Sequence, residues 1–265
     1  MPTARIGDLD MAYEIHGEGP VLLAIMGLTG SMGHWRGFPE RFADRHRVVT
    51  FDNRGAGRSA APAGPYSTAE LARDALGLLD HLGIQAATVF GVSMGGMIAQ
   101  QLALEAPTRV DKLVLGCTTH GGRTAVLPDR EVLAAFASVG QGGAEATVRR
   151  LLALNFGPGF MEHGASVFEE LVAYGLANRM TAVGFQGQLM AVTTHDVAAR
   201  VDSIHTPTLI VTGTHDRLIP AANAAILAAK IPTSRVVTLD GIGHMFWIEA
   251  ADAAEKAIRE FLSQG

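Results

Sequence analysis

The sequence Gly-Val-Ser-Met-Gly-Gly at residues 91–96 follows a short apolar run and precedes a helix-forming segment at 96–106. This order predicts a strand, a tight turn with Ser93 at its tip, and a helix. Gly91 and Gly95 stand two residues from Ser93 on either side, where a side chain would collide with the neighbouring strand or helix. Such a turn strains the serine backbone and exposes its hydroxyl, and the N-terminus of the helix favours negative charge beside it. The stretch therefore predicts a nucleophilic serine.

A serine hydroxyl is a weak nucleophile at neutral pH, so it needs a base that is oriented by a carboxylate. In proteins with this kind of turn, the partners follow in the chain order serine, acid, histidine. An apolar strand at 207–213 leads into a turn that carries Asp216, and a second at 235–239 leads into Gly-Ile-Gly-His at 241–244. Two strand ends thus present Asp216 and His244 in the expected order.

These motifs resemble those of the α/β-hydrolase-fold enzymes, and the resemblance covers nearly the whole chain. Beyond the serine turn, it is carried by Phe-Asp-Asn-Arg-Gly-Ala-Gly-Arg-Ser at 51–59, the turn at 213–220 and Gly-Ile-Gly-His at 241–244. The residues at 91–100 and 113–119 are most similar to small esterases and lactonases that use no cofactor. Examples are 3-oxoadipate enol-lactonase and aclacinomycin methylesterase.

The resemblance implies an α/β fold with a mostly parallel central sheet flanked by helices. It implies that Ser93 is the nucleophile, His244 the general base and then acid, and Asp216 the orienting carboxylate. The implied activity is hydrolysis of a carboxylic ester or lactone through an acyl-enzyme intermediate, with a small and fairly apolar substrate. Serine hydrolysis of this kind needs no cofactor and no metal, and we expect neither.

Two other functions stay open on the sequence. One is hydrolysis of a carbon–carbon bond in a ring-cleavage product, which uses the same fold and triad and needs polar groups for a second carboxylate. Arg123, Arg179 and Arg217 are the candidates for that role. The other is a ligand-binding sensor with a vestigial triad. The complete Ser-Asp-His set argues against a sensor, since a pure binder does not need all three residues.

Several residues compete with the chosen triad members. Some members of the family place the acid after the strand that precedes the cap, but residues 114–120 offer no carboxylate here. Asp240 is the next-best acid, although turn formation alone explains it. We interpret His215 as a loop residue, and we expect Glu249 to tether the helix that follows it. Cys117, the single cysteine, cannot form an internal disulfide and lacks the turn-and-helix context of a nucleophile.

The oxyanion hole is expected from two backbone N–H groups. One belongs to Met94, the residue after the nucleophile. The other belongs to Leu28, in the loop that follows the strand at 20–25. That loop departs from the family pattern, which has His-Gly where this chain has Met26 followed by glycine, so a more apolar wall is expected there. We consider Met26 and Trp35 as substrate contacts, with packing of Trp35 against the first helix as its alternative.

The 265 residues suit one large α/β domain. We assign residues 1–120 and 204–265 to the hydrolase core and residues 121–203 to a helical cap inserted in it. The predicted helices of the cap are residues 130–137, 145–154, 167–178 and 182–198. At the other end of the core, alternating apolar and polar residues at 10–16 predict an exposed edge strand.

The composition of the chain limits the classes of partner that we expect it to bind. Hydrophobic residues make up 48% of the chain and charged residues 18%, with a net charge of −5, which argues against nucleic acid and anionic membrane partners. The glycine-rich segment at 52–59 lacks the Gly-Lys-Ser/Thr ending of a phosphate-binding loop, so we interpret it as a structural turn. No apolar signal segment or transmembrane run is visible, and a cytoplasmic location is expected.

Overall fold

The computed structural model describes residues 1–264. Eight strands form one sheet in the order β1-β2-β4-β3-β5-β6-β7-β8. The β1–β2 and β2–β4 pairs are antiparallel, and the pairs from β4 through to β8 are parallel. The strands are β1 (Thr3–Ile6), β2 (Leu9–His16), β3 (Val21–Ile25), β4 (Arg47–Phe51), β5 (Ala87–Val92), β6 (Val110–Gly116), β7 (Thr208–Gly213) and β8 (Ser234–Leu239).

Ten α-helices accompany the strands within residues 1–264. They are α1 (Phe38–Phe42), α2 (Thr68–His81), α3 (Met94–Glu105), α4 (Arg130–Ala137), α5 (Ala144–Ala153), α6 (Phe160–Ala177), α7 (Ala182–Thr193), α8 (Ala222–Lys230), α9 (Phe246–Glu249) and α10 (Ala251–Leu262). In the part of the chain that the structure describes, no helix has both the length and the apolar character needed to cross a membrane.

The central strands are apolar on both faces because helices cover both faces of the sheet. Alternate residues of β3 show this: Leu23 and Ile25 face one apolar cluster, and Leu22 and Ala24 face the other. Helices α2, α3 and α8 contribute to the first cluster, and α1, α9 and α10 contribute to the second. This three-layer arrangement confirms the predicted α/β fold and brings the carboxyl ends of β5 to β8 to one edge of the sheet.

Two sequence predictions need correction. The strand predicted at residues 10–16 is not at the edge of the sheet, because Thr3–Ile6 forms β1 and pairs beyond it. Helix α3 begins at Met94 and not at Gly96, so the helix starts directly after Ser93. The second correction matters for the site, since it brings the helix N-terminus to the serine itself.

Between β6 and β7 the chain forms helices α4 to α7, and we call residues 121–203 the helical insert. Four helices were predicted here, and α4 has the predicted bounds, while α6 begins earlier and α7 ends earlier than predicted. An isolated antiparallel bridge between Gly121 and Asp196 joins the two ends of the insert where they leave the core.

Candidate active site

Ser93 lies at the tip of the turn between β5 and α3, with φ +57° and ψ −122°. A Cβ atom on Gly91 would collide with the carbonyl oxygen of Gly95, and one on Gly95 would collide with the carbonyl oxygen of Ile25. Because both positions admit only glycine, the strand and the helix approach closely and hold the serine in this disfavoured conformation.

Two hydrogen bonds secure the Ser93 backbone. Its N–H donates to the Gly116 carbonyl at 2.9 Å, and its carbonyl accepts from the Thr118 hydroxyl at 2.8 Å. Gly116 is the last residue of the neighbouring strand β6, and Thr118 lies two residues beyond it. The turn is therefore braced by the core sheet, while the Ser93 side chain belongs to a half-buried residue.

Asp216 and His244 form a buried pair at the ends of β7 and β8. The Asp216 Oδ2 atom lies 2.7 Å from His244 Nδ1, and both side chains are almost fully buried. The other carboxylate oxygen accepts the backbone N–H groups of Leu218 and Ile219, each at 2.9 Å. With both oxygens bonded, the carboxylate is fixed and points one oxygen at the imidazole.

The electrostatics of this pair follow from its burial. Burial alone lowers the pKa of His244, but the adjacent Asp216 carboxylate outweighs it and raises the pKa well above the ordinary value. The pair therefore stabilises an imidazolium, the state that a general base reaches after it takes a proton.

The competing acid and histidine lie elsewhere. Asp240 is exposed and accepts from the Thr214 hydroxyl at 3.2 Å. His215 is exposed as well, and its Nδ1 atom lies 3.1 Å from the same hydroxyl. Both residues thus have structural partners in the turns that follow β7 and β8, and neither is bonded to His244.

The loop after β3 lies directly against Ser93. A Cβ atom on Gly27 would be 2.9 Å from Ser93 Cβ and 3.4 Å from Ser93 Oγ. Within residues 1–264, the N–H groups of Leu28 and Met94 donate to no protein acceptor. The two unused donors therefore belong to the residues that follow Gly27 and Ser93, which lie against each other, and unused N–H groups are what an oxyanion hole requires.

Met26 and Trp35 both belong to the second apolar cluster of the core, and their role as substrate contacts stays a prediction. Both are buried, and Trp35 packs against Phe38 and Phe90 with ring-centroid distances of 5.0 and 5.4 Å. Trp35 does line a cavity of about 440 Å³, but this cavity also includes Asp52 and does not include Ser93. The alternative for Trp35, packing against the first helix, is the one its contacts support.

The segment at 52–59 also has structural contacts. The Asp52 carboxylate accepts the N–H groups of Met32 at 2.7 Å and Arg58 at 2.8 Å, and burial raises its pKa. The Arg54 guanidinium makes two hydrogen bonds to Asp74, at 2.7 and 2.8 Å. These contacts fix the turn from inside, as expected for a structural element rather than a phosphate site.

Cys117 lies close to His244, which the sequence reasoning did not foresee. It is buried directly after β6, has φ +41°, and its Sγ atom lies within 4.8 Å of an imidazole nitrogen of His244. The signal was present: β6 lies between β5 and β7, so the residue after β6 falls between the ends that carry Ser93 and Asp216.

Cys117, Asp216 and His244 offer metal-ligand atoms within 4.8 Å of one another. However, burial raises the pKa of the Cys117 thiol, and a protonated thiol is a poor metal ligand. Asp216 and His244 are already bonded to each other. This chemistry fits a hydrogen-bonded catalytic pair better than a metal centre.

Glu249 has a different role from the one predicted. Its carboxylate accepts the N–H of Gly243 at 2.8 Å and that of Gly157 at 3.0 and 3.1 Å. On the other side of His244, the Met245 N–H donates to the Asn155 carbonyl at 2.9 Å. Glu249 therefore ties the loop that carries His244 to the helical insert instead of tethering the helix that follows it.

Comparison with known proteins places this geometry in a family. A sequence model of the alpha/beta hydrolase fold matches residues 20–251. A relative from Azorhizobium caulinodans, provisionally named carbamate hydrolase RutD, is 33% identical over 269 residues, which cover 100% of this chain and 99% of the relative. The 3-oxoadipate enol-lactonase 2 of Acinetobacter baylyi is 28% identical over 265 residues, which cover 99% and 96% of the two chains.

The solved structures agree. The enol-lactonase from Burkholderia xenovorans superposes with a TM-score of 0.89 at 28% identity, and the match covers 99% of this chain and 100% of that one. The chain therefore belongs to the alpha/beta hydrolase family and has enol-lactonase-like relatives.

Proposed function

We propose that this member of the alpha/beta hydrolase family cleaves a carboxylic ester or lactone through an acyl-enzyme formed on Ser93. The observation that carries the proposal is the strained Ser93 beside the two unused N–H groups of Leu28 and Met94. A hydroxyl at the tip of such a turn and next to two such donors suits attack on a carbonyl, because the negative charge then develops where the donors are.

The acid–base half of the mechanism rests on the Asp216–His244 pair. Asp216 accepts from Nδ1–H and so keeps the proton on that nitrogen, which leaves Nε2 free to take the proton of Ser93. His244 then donates this proton to the leaving alcohol. Water attacks the acyl-enzyme with the same histidine as base, and Ser93 is released.

We propose that the helical insert is a cap that covers the site and receives an apolar acyl group. Its segment 155–157 packs on the loop carrying His244, where a Cβ atom on Gly243 would be 2.6 Å from the backbone of Phe156. Phe156 stacks on Phe160 with a ring-centroid distance of 3.8 Å. Such a wall excludes water and favours apolar substrates.

The test is hydrolysis of p-nitrophenyl acetate, butyrate and octanoate by the wild type and by Ser93→Ala. We expect kcat to fall by at least about 10³-fold, because triad members act as a unit. Ser166→Ala, an exposed serine on the insert, is the matched control and should keep most of the activity. A fluorophosphonate probe should label Ser93, located by peptide mass spectrometry. An unlabelled Ser93 would contradict the proposal and favour the binding-sensor alternative.

A second candidate is carbamate hydrolysis, favoured by the similarity to the RutD relative over the whole chain. The same serine and oxyanion hole suit a carbamate carbonyl. Substrate preference distinguishes the two candidates. An esterase turns over p-nitrophenyl esters and simple lactones with high kcat/KM. A carbamate hydrolase prefers carbamates and releases ammonia, which a coupled assay measures.

Carbon–carbon bond hydrolysis finds less support. Arg217 is paired with Asp129 and Glu131, at 3.4 and 2.6 Å. Arg123 and Arg179 are exposed. None of the three is a buried cation that could hold a second substrate carboxylate inside the site.

A further inference from the structure

Gln188 connects the helical insert to the loop beside Ser93. It lies on α7 and is completely buried. Its Oε1 atom accepts the backbone N–H of Thr29 at 3.1 Å, and its Nε2 atom donates to the carbonyl of Arg54 at 2.9 Å. A buried amide with a donor and an acceptor each engaged is held in one orientation.

The loop that Gln188 contacts is a strained turn. The Gly30 N–H donates to the Gly27 carbonyl at 3.1 Å, which closes a four-residue turn over residues 27–30. Thr29 is the third residue of this turn and has φ +63°. A β-branched residue strongly disfavours this left-handed region, where glycine or asparagine is usual. The turn therefore needs an outside contact to keep this shape.

Leu28, the second residue of the turn, carries one of the two unused N–H groups beside Ser93. The turn is held on one side by Asn53, whose Nδ2 donates to the Met26 carbonyl at 2.9 Å. It is held on the other side by Gln188, through the residue directly after Leu28. The Asn53 contact from the core and the Gln188 contact from the insert together fix the direction of the Leu28 N–H.

We propose that Gln188 is a positioning residue for the oxyanion hole, and that through it the insert takes part in the chemistry and does not only cover the site. This inference rests on the proposed function, since it assigns the Leu28 N–H to the oxyanion. Gln188 itself contacts the loop and Arg54. It acts by holding the Thr29 backbone in its disfavoured conformation.

The first test is Gln188→Met, which keeps the length of the side chain and removes both hydrogen bonds. Misplacing one oxyanion donor lowers kcat, and we expect a loss of about 10- to 100-fold with KM changed less than about threefold. The acid limb of the pH profile should not move, because His244 keeps its partners. Gln186→Met, an exposed residue on the same helix, is the matched control.

The second test separates positioning from loss of stability. Thr29→Gly accepts the positive φ without strain, so it should restore part of kcat when combined with Gln188→Met. An effect on folding alone would leave the same deficit with either residue at position 29. Wild-type kcat in Gln188→Met, or no recovery in the double variant, overturns the inference.

Amide hydrogen exchange gives a readout that needs no substrate. Exchange in residues 27–30 should quicken in Gln188→Met and not in Gln186→Met. Unchanged exchange overturns the inference even where the wild type shows no esterase activity. Absence of Ser93-dependent hydrolysis in the wild type contradicts the proposed function instead, so the two failures are distinguishable.

Discussion

The strand ends of the core and the helical insert are built differently, although the insert packs against the loops that follow β3 and β8. Strands β5, β6 and β7 are buried over most of their length, and only β8, the edge strand before His244, is half-buried. In the insert, by contrast, α5 has no buried residue. Six of the nine large apolar side chains exposed in the described structure also lie there: Val126, Leu127, Leu133, Met161, Val183 and Met190. The difference indicates that the central strands are packed more tightly than the helices of the insert.

The two regions meet through directional polar contacts. Gln188 holds Thr29, Glu249 joins the His244 loop to Gly157, and the Tyr174 and Ser31 hydroxyls lie 2.8 Å apart. Hydrogen bonds specify orientation more sharply than apolar packing does. A loosely packed insert can therefore still fix the geometry of the two loops that carry Leu28 and His244.

Replacement of Asp216, the proposed orienting acid in the core, should have the largest effect on activity. Asp216→Asn should lower kcat by about 10⁴-fold, because an amide in that place favours the wrong imidazole tautomer. Asp240→Asn, an exposed aspartate after the neighbouring strand, should stay near the wild type. Ester hydrolysis of the two variants measures the difference. The reverse ranking would move the acid to Asp240 and break the assignment of the core site.

Two leucine-to-alanine substitutions compare the packing of the core with that of the helical insert. Leu115→Ala, at a fully buried position of β6, should lower the free energy of unfolding by about 3–5 kcal/mol through lost contacts and a cavity. Leu133→Ala, half-exposed on α4, should cost about 0.5 kcal/mol or less. Urea unfolding followed by circular dichroism gives both values. Equal losses would mean that the insert is packed as tightly as the core.

Removal of the Glu249 contacts that join the core to the insert should have an intermediate effect on kcat. Glu249→Ala removes a carboxylate that accepts the N–H groups of Gly243 and Gly157, so the His244 loop loses its tie to the insert. A charge-assisted hydrogen bond contributes about 1.5–3 kcal/mol, so we expect kcat to fall by roughly tenfold or more. Steady-state kinetics beside Glu260→Ala, an exposed glutamate on α10, provides the measurement. Wild-type kcat in Glu249→Ala would show that the tie does not position His244.

The smallest expected effect is a shift in pH dependence. Burial lowers the pKa of His244 and Asp216 raises it, with a net shift well above the ordinary value of 6.5. The base must be neutral, so kcat/KM should fall as the pH drops through that raised pKa. The acid limb should therefore lie above pH 6.5 in the wild type and move to lower pH in Asp216→Asn. A limb at the same pH in both proteins would rule out Asp216 as the cause.

Much of the fold was predictable because it depends on local patterns. Apolar runs that end in glycine-rich turns predicted β3, β5, β7 and β8, and the confirmed family resemblance supplied the mostly parallel sheet flanked by helices. The short strand at Thr3–Ile6 was missed because its four residues alternate too briefly to show a period. The packing of Trp35 was left open because a loop tryptophan has no period that separates core from surface.

The sequence by itself determined which residues could react. Gly91 and Gly95 around Ser93, and the strand ends before Asp216 and His244, are local signals that do not depend on the rest of the chain. Only the tertiary structure decided what holds those groups in place. Cys117, Glu249 and Gln188 reach the site through contacts with residues far away in the chain, up to 159 positions for Gln188 and Thr29. No local pattern encodes such contacts, because they exist only when the sheet order and the packing of the insert bring the partners together.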